Sequence, residues 1–436
     1  MPTDPLPTSA FESAQVDCAA AGHPDAVAAA GHLATADHPD APESESDRVR
    51  LPFAHHHYAA ATAAPPFPGR EGGRGVRSLL ARMTPVEKVG QLLMPIIFPA
   101  SPADLTLSAD LIALLDDYPL GGYFITAGGG DAHRVRAFSA ALQAHARIPL
   151  ILASDFEGGA WNYLASAAGP RPAAATVGAS GEPTHAHAKG ITDAARLRDL
   201  GLNVNFAPVV DVLTNPANPI VADRAFGADP ALVTRMAAAY LDGLTSVGIG
   251  GCLKHFPGLG AVSTDPHYTL PTLQRTPDEL RAVELLPFRE LIQSGHAHSI
   301  MTTHIHIPAL DPDLPTSVSP IAIAGLLRRE LGYGGLVISD SIAMGALTAR
   351  YTIPEASLLA FEAGTDLILG APDLATTRAT HAYFLEALAA GRISHQRLDA
   401  SVRRILRFKA RWAILPNEGR GASHAPVSPL ATVRAG

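Results

Sequence analysis

The chain has 436 residues, 47% of them hydrophobic and 17% charged, with a formal net charge of −8 at pH 7. That length and apolar content suffice for one large core or two ordinary ones, and the acidic balance argues against a nucleic-acid partner, which needs a basic face. Only two cysteines occur, Cys18 and Cys252, which argues against a disulfide framework; neither stands in a metal-ligand spacing, and no apolar run approaches a membrane span.

Residues 1–75 are rich in Ala, Pro, Asp, His and Gly with little hydrophobic periodicity. Such composition buries too little apolar surface to offset ordering entropy, so a disordered extension is expected. Its opening, MPTDPLPTSAFESAQVDCAAAG, lacks the basic start and continuous apolar stretch of a secretory signal. A cytoplasmic, monomeric protein with no membrane partner is the expectation. The run His55, His56 and His57 has the composition of a metal tract, but a solvated histidine run is the simpler reading.

From residue 76 short apolar runs alternate with longer amphipathic segments. The runs are VGQLLMPII (89–97), GGYFIT (121–126), PLILASD (149–155), LNVNFAPVVDV (202–212), CLKHFPG (252–258), SIMTTHI (299–305), GLVISDSI (335–342) and TDLILG (365–370). Continuous rather than alternating hydrophobicity is what a parallel strand covered on both faces requires. Between them, DPALVTRMAAAYLDGLTSVG opens on Asp229 and Pro230, an N-cap and first-turn proline. It places Leu232, Met236, Tyr240 and Leu244 on one face. SPIAIAGLLRREL opens on Ser319 and Pro320 in the same way. Eight strand-like runs alternating with helices predict an α/β fold of the (β/α)8 TIM-barrel type, a single domain over residues 76–415. Residues 416–436 are expected to form a flexible tail. The competing open doubly wound sheet would carry a Gly-rich phosphate loop after its first strand, and none is there.

In such a barrel, chemistry gathers where the strands end. The third run ends in Asp155, with Glu157 beyond it; the fourth carries Asn203, Asn205 and Asp211. The fifth holds Lys254 and His255, and its loop Asp265 and His267. The sixth ends in His304 and His306, which alternate faces so that at most one points inward. The seventh ends in Asp340. A single strand-end aspartate usually caps a helix, but capping alone does not bring several carboxylates, a lysine and several histidines to one rim. Zinc on His255, Asp265 and His267 is the chemical competitor. No HExxH-type pair appears, and Lys254 beside His255 opposes a cation; no metal or cofactor is expected.

These segments resemble glycoside hydrolase family 3. Its signature KHFPGHG followed by D-S-H reads KHFPGLG and DPH here (254–260 and 265–267). MTPVEKVGQLL, DFEGG, LNVNFAPVVDV, NPANPIVADRAFG, MTTHIHIPALD and VISDSIAMGAL agree with it over about residues 80–412. The chain is similar to the single-domain bacterial β-N-acetylhexosaminidase branch. The resemblance implies a retaining, two-step hydrolysis of terminal β-linked GlcNAc, with a carbohydrate substrate for which peptidoglycan fragments are the expected source. It implies Asp340 as nucleophile, His267 as acid/base oriented by Asp265, and sugar contacts from Asp155, Arg224, Lys254 and His255. Imidazole ordinarily titrates near neutrality, so it can give and recover a proton there. Asp265 would fix its tautomer and stabilise its cation.

The chain departs from the family at three places. EGGRVQR reads EGGAWNY, so Ala160 and Tyr163 replace two arginines; Leu259 replaces the histidine of KHFPGHG; and Pro266 stands inside the D-x-H triplet, biasing Asp265 towards extended backbone. A family 3 β-glycosidase of shifted specificity and a non-catalytic sugar-binding paralogue are the competing functions, and phosphate is a competing acceptor to water.

Overall fold

A computed structural model describes residues 73–415. The expected extension up to residue 72, with His55, His56 and His57, and the expected tail from Pro416 lie outside the described residues. The helix Gly73–Arg82 begins three residues inside the segment expected as extension.

The architecture is α/β, and each of the eight apolar runs contains a strand. In chain order these are β1 (Leu93–Met94), β2 (Gly122–Phe124) and β3 (Ile151–Ser154), then a hairpin of β4 (Phe156–Gly158) and β5 (Trp161–Asn162). They continue as β6 (Val204–Asn205), β7 (Gly250–Phe256), β8 (Ser299–Thr302), β9 (Leu336–Ser339) and β10 (Ile368–Leu369). Strands β2-β3-β6-β7-β8-β9 form one sheet in that order, and every pairing in it is parallel. Strand β1 pairs with β10, also in parallel. Single parallel bridges, Ile96 to Phe124 and Ile338 to Leu367, join this pair to β2 on one side and to β9 on the other.

All residues of β3, β7, β8 and β9 are buried, which is why their sequences read as unbroken apolar runs. Burying one Leu or Ile side chain contributes about 1.5–3 kcal/mol, and the core extends through the helices around the strands. The helix Pro230–Val247 starts where Asp229 accepts the amides of Ala231 and Leu232 and ends at Gly248, whose φ of 88° is left-handed. It buries Met236, Tyr240 and Leu244. A Cβ on Gly190 of the neighbouring helix Pro183–Asp199 would lie 2.3 Å from the Tyr240 carbonyl oxygen, so a side chain there would prise the two helices apart. The segment 321–330, expected as an ordinary α-helix, is instead wound as a π-helix, with the Gly325 amide donating to the Pro320 carbonyl. No helix among the described residues is long and apolar enough to cross a membrane. Three of the described peptide bonds are cis: Ala207–Pro208, Lys254–His255 and Phe256–Pro257.

Where the chain enters β10, Asp366 is fully buried among arginines. Its carboxylate accepts from Arg328 at 2.6 Å, Arg404 at 3.0 Å and the Ser401 hydroxyl at 2.6 Å; Arg397 lies 3.8 Å away. Arg328 and Arg397 also donate to the backbone carbonyls of Tyr333, Gly335, Gly364, Phe361 and Thr365, and Arg397 to the Ser401 hydroxyl.

Candidate active site

The opposite ends of the strands surround a cleft enclosing about 610 Å³ of space, part of it open to solvent. Asp155 follows β3 directly and Asp340 follows β9 directly; Lys254 and His255 sit near the end of β7. Trp161 comes from β5, Arg224 from the connection after β6, and His267 from the connection after β7. Consecutive strand residues normally point to opposite faces, yet Lys254 and His255 both line the cleft. The β7–β8 register shifts between Leu253 and Phe256, so strand alternation is broken at this pair.

One side of the cleft is an ion network. The Lys254 ammonium lies 2.5 Å from Asp155 and 2.6 Å from Glu157. Arg224 donates to both oxygens of Glu157, each at 2.8 Å, and to Nε2 of His255 at 3.1 Å. Lys254 is 1% exposed and Arg224 4%, so neither cation is screened by water. Burial pushes the Glu157 carboxyl up, but Arg224 and Lys254 outweigh it and hold it down at about 2. For Asp155, burial wins over Lys254 and its carboxyl is raised. Burial lowers Lys254, but its two carboxylates more than reverse that.

Asp211, at the end of the fourth run, organises the neighbouring corner. It accepts from His255 Nδ1 at 2.7 Å, from the His255 amide at 3.2 Å and from the Leu259 amide at 2.7 Å. Since an arginine N–H can only donate, His255 accepts at Nε2 and therefore carries its proton on Nδ1, aimed at Asp211. The Gly-x-Gly around Leu259 makes that reach possible. Gly258 has a φ of 136°, and a Cβ on Gly260 would lie 1.8 Å from the Val212 carbonyl oxygen.

His267 stands across the cleft with Asp265 behind it. The ring Nδ1 is 2.6 Å from Asp265 Oδ1, which also accepts the His267 amide at 2.9 Å. Nδ1 therefore donates, leaving Nε2 for the cavity. Burial raises the Asp265 carboxyl, but these bonds from His267 prevail and hold it below the ordinary carboxylate range. The loop is fastened from outside: the carbonyls of His267 and Pro266 accept the amides of Gly345 and Ala346, at the start of the helix Gly345–Thr348. Asp340 accepts the Ser341 amide at 2.8 Å through Oδ1. Burial raises its carboxyl too, but the imidazoles of His255, His304 and His267 outweigh this, and the group stays ionised below the usual range. His304 is buried beneath, donating from Nε2 to the Ser341 carbonyl at 2.9 Å and meeting Ser317 at 2.7 Å. His306 turns the other way to the Pro312 carbonyl.

The cleft thus gathers Asp155, Arg224, Lys254, His255, His267 and Asp340 in one wall-to-wall arrangement, with Asp265 one layer behind. Sequence reasoning gave no role to the partners that hold them. Glu157, two residues beyond the third apolar run, and Asp211, near the end of the fourth, had a visible signal as strand-end acids. Trp161 had none beyond its type: its ring faces the cleft, with the Arg224 guanidinium 4.2 Å from its centroid and the His267 ring 5.8 Å away at an interplanar angle of 20°. Tyr163, where the family pattern has an arginine, packs edge-on to Phe124 and lines the cleft with Phe98, Ile96 and Leu259. An ionised carboxylate and a carboxylate-backed imidazole facing one cavity are groups chemically suited to nucleophilic attack and to proton transfer.

Comparison with known proteins agrees with this geometry. Residues 84–408 match the model of the glycosyl hydrolase family 3 N-terminal domain. The chain is 31% identical over 334 residues to beta-hexosaminidase A of Pseudoalteromonas piscicida, covering 70% of this chain and 56% of that protein. It is 33% identical over 358 residues to beta-hexosaminidase LpqI of Mycobacterium tuberculosis, covering 78% and 85%. A solved family 3 β-N-acetylglucosaminidase from Paenibacillus superposes with a TM-score of 0.73 at 35% identity, covering 80% of this chain and 66% of that one. The chain belongs to glycosyl hydrolase family 3.

Proposed function

We propose, from that membership and from the cleft, that this family 3 protein is a retaining exo-β-N-acetylglucosaminidase that removes terminal β-linked GlcNAc. The names of its hexosaminidase and β-N-acetylglucosaminidase relatives support the substrate class. The observation that carries the mechanism is the placement of ionised Asp340 and Asp265-backed His267 on one cavity.

In the first step the free oxygen of Asp340 attacks the anomeric carbon. The bond to the leaving oxygen breaks as His267 delivers its Nε2 proton to that oxygen, leaving a glycosyl ester on Asp340. In the second step neutral His267 takes a proton from water, the water oxygen bonds to the anomeric carbon, and Asp340 departs as carboxylate. Asp265 keeps the imidazole in the tautomer this requires and stabilises its cation. Asp155 and the remaining proton of Lys254 bind sugar hydroxyls. Arg224 joins them at the ring, and His255, with both ring nitrogens occupied, holds Arg224 in place.

Closing the eight strands into a (β/α)8 barrel belongs to the same reading. The two single bridges that join the β1–β10 pair to both edges of the six-stranded sheet support it, as does a cleft at the C-terminal strand ends. The barrel would span residues 76–415. Peptidoglycan fragments are the proposed natural substrate. A cytoplasmic location is also proposed, consistent with a buried free Cys252; cell fractionation tests it.

Purified protein should release chromophore from an aryl β-N-acetylglucosaminide, and Asp340→Ala should not. Failure of the pure protein to turn over any β-glycoside would overturn the proposal. A shifted sugar specificity is the second reading, favoured by Trp161 and Tyr163 in the cleft wall. Comparing aryl glycosides of GlcNAc and glucose separates the two.

A further inference from the structure

We propose that Trp161 is a positioning residue for the proton transfer, seating the His267 ring at the leaving-group side of the cleft. The inference rests on the reading of His267 as acid/base. Three observations carry it. The Trp161 and His267 rings stack within 20° of parallel, although they arrive from different parts of the chain, the β4–β5 hairpin and the loop after β7. The same indole lies 4.2 Å from the Arg224 guanidinium, and Arg224 is itself held at both ends by Glu157. Beyond Asp265, the His267 segment is fastened through its backbone to Gly345 and Ala346; neither of those bonds fixes the ring's tilt.

Asp265 grips Nδ1, which sets the tautomer and leaves rotation of the ring about that contact unopposed. A parallel indole face removes this freedom. Aromatic pairs favour offset stacking, and a cationic ring gains further from the face of an indole, so the contact strengthens when His267 carries its second proton. Gly345 completes the seat: a Cβ there would lie 2.4 Å from the Tyr268 carbonyl oxygen and 2.9 Å from that of His267, so the loop reaches this depth only over a glycine.

Positioning of a general acid has a signature that sugar binding lacks. A good leaving group departs without a proton, whereas a poor one needs it. The test measures kcat/KM, which reports the glycosylation step, across aryl β-N-acetylglucosaminides from 2,4-dinitrophenyl to 4-methoxyphenyl, for wild type, Trp161→Leu, Trp161→Val, Trp161→Phe and His267→Ala. The expected result is a loss of about 10-fold or more on 4-methoxyphenyl, a loss under about 2-fold on 2,4-dinitrophenyl, and most of the activity regained in Trp161→Phe. Trp161→Val serves if the leucine variant does not fold. A uniform loss with a raised KM would mean that the indole holds the sugar, and it overturns the proposal; so does no loss on either substrate. If His267→Ala itself shows no leaving-group dependence, the acid/base assignment fails and the role of Trp161 falls with it; if His267→Ala shows that dependence and the Trp161 variants do not, only the role of Trp161 is overturned.

Discussion

Two buried ion clusters sit at opposite ends of the strands, built from the same chemistry and spent differently. At the entry to β10, Asp366 faces three arginines, and Arg328 and Arg397 also donate to backbone carbonyls. At the exits of β3 and β7, Asp155 and Glu157 face Lys254 and Arg224, and beside them lies open volume. Burial alone therefore does not mark function. An ion cluster whose cations are turned to an aspartate and to backbone carbonyls is structural, whereas one that borders a cavity has capacity left for a ligand.

That contrast is open to test, beginning with its strongest consequence. Asp340→Ala should cut kcat on an aryl β-N-acetylglucosaminide by about 10⁴-fold or more, equivalent to about 5.5 kcal/mol. The thermal midpoint should move little, because the burial cost of the carboxylate and the attraction of the imidazoles that outweighs it are removed together; steady-state assays and melting curves read the two effects separately. Asp366→Ala should do the reverse. Stranding buried Arg328, with part-buried Arg397 and Arg404 beside it, costs about 3 kcal/mol of stability, while kcat/KM per folded molecule, taken from active-site titration, stays at the wild-type value. If Asp366→Ala were as inactive as Asp340→Ala in the folded state, the division between the two clusters would be wrong.

Glu157 lies between these extremes, since it braces the two cations that line the cleft. Glu157→Gln should cost about 2 kcal/mol and raise KM several-fold. Its pH signature has a definite sign. The folded carboxyl titrates near 2 against an ordinary value of 4.5, so its stabilisation is complete above the unfolded value and is lost as pH falls from there towards 2. Urea midpoints should therefore fall more steeply for wild type than for Glu157→Gln over that window. Asp155 works against this trend, because its raised carboxyl gives it the opposite sign. The smallest effect is expected for Leu259→Met, a swap of nearly equal volume that should cost less than about 1.5 kcal/mol and leave the preference among leaving groups unchanged.

The strands were legible because a parallel strand buried on both faces writes itself as an unbroken apolar run, and polar residues at the ends of those runs stand out against it. Asp155, Lys254, His255 and Asp340 were found that way. The hairpin carrying Trp161 was not, since two- and three-residue strands leave no periodicity to read. The Asp366 cluster was equally hidden: Arg328, Arg397 and Arg404 look like ordinary helix charges until packing brings two distant helices onto one aspartate. The π-winding of 321–330 left no trace either, because its capping residues are those of an α-helix. Asp211 could be seen as a strand-end acid, but one of its partners, the Leu259 amide, is backbone and carries no residue-type signal.

That last contact also accounts for the leucine in Gly-Leu-Gly. Asp211 grips the peptide at position 259 through its N–H, and Asn218 grips it through its C=O at 2.7 Å. The side chain is left to finish the cleft wall. Position 259 is therefore an exchangeable panel in a fixed frame: its side chain can change the shape of the cleft wall while the backbone that carries it stays anchored.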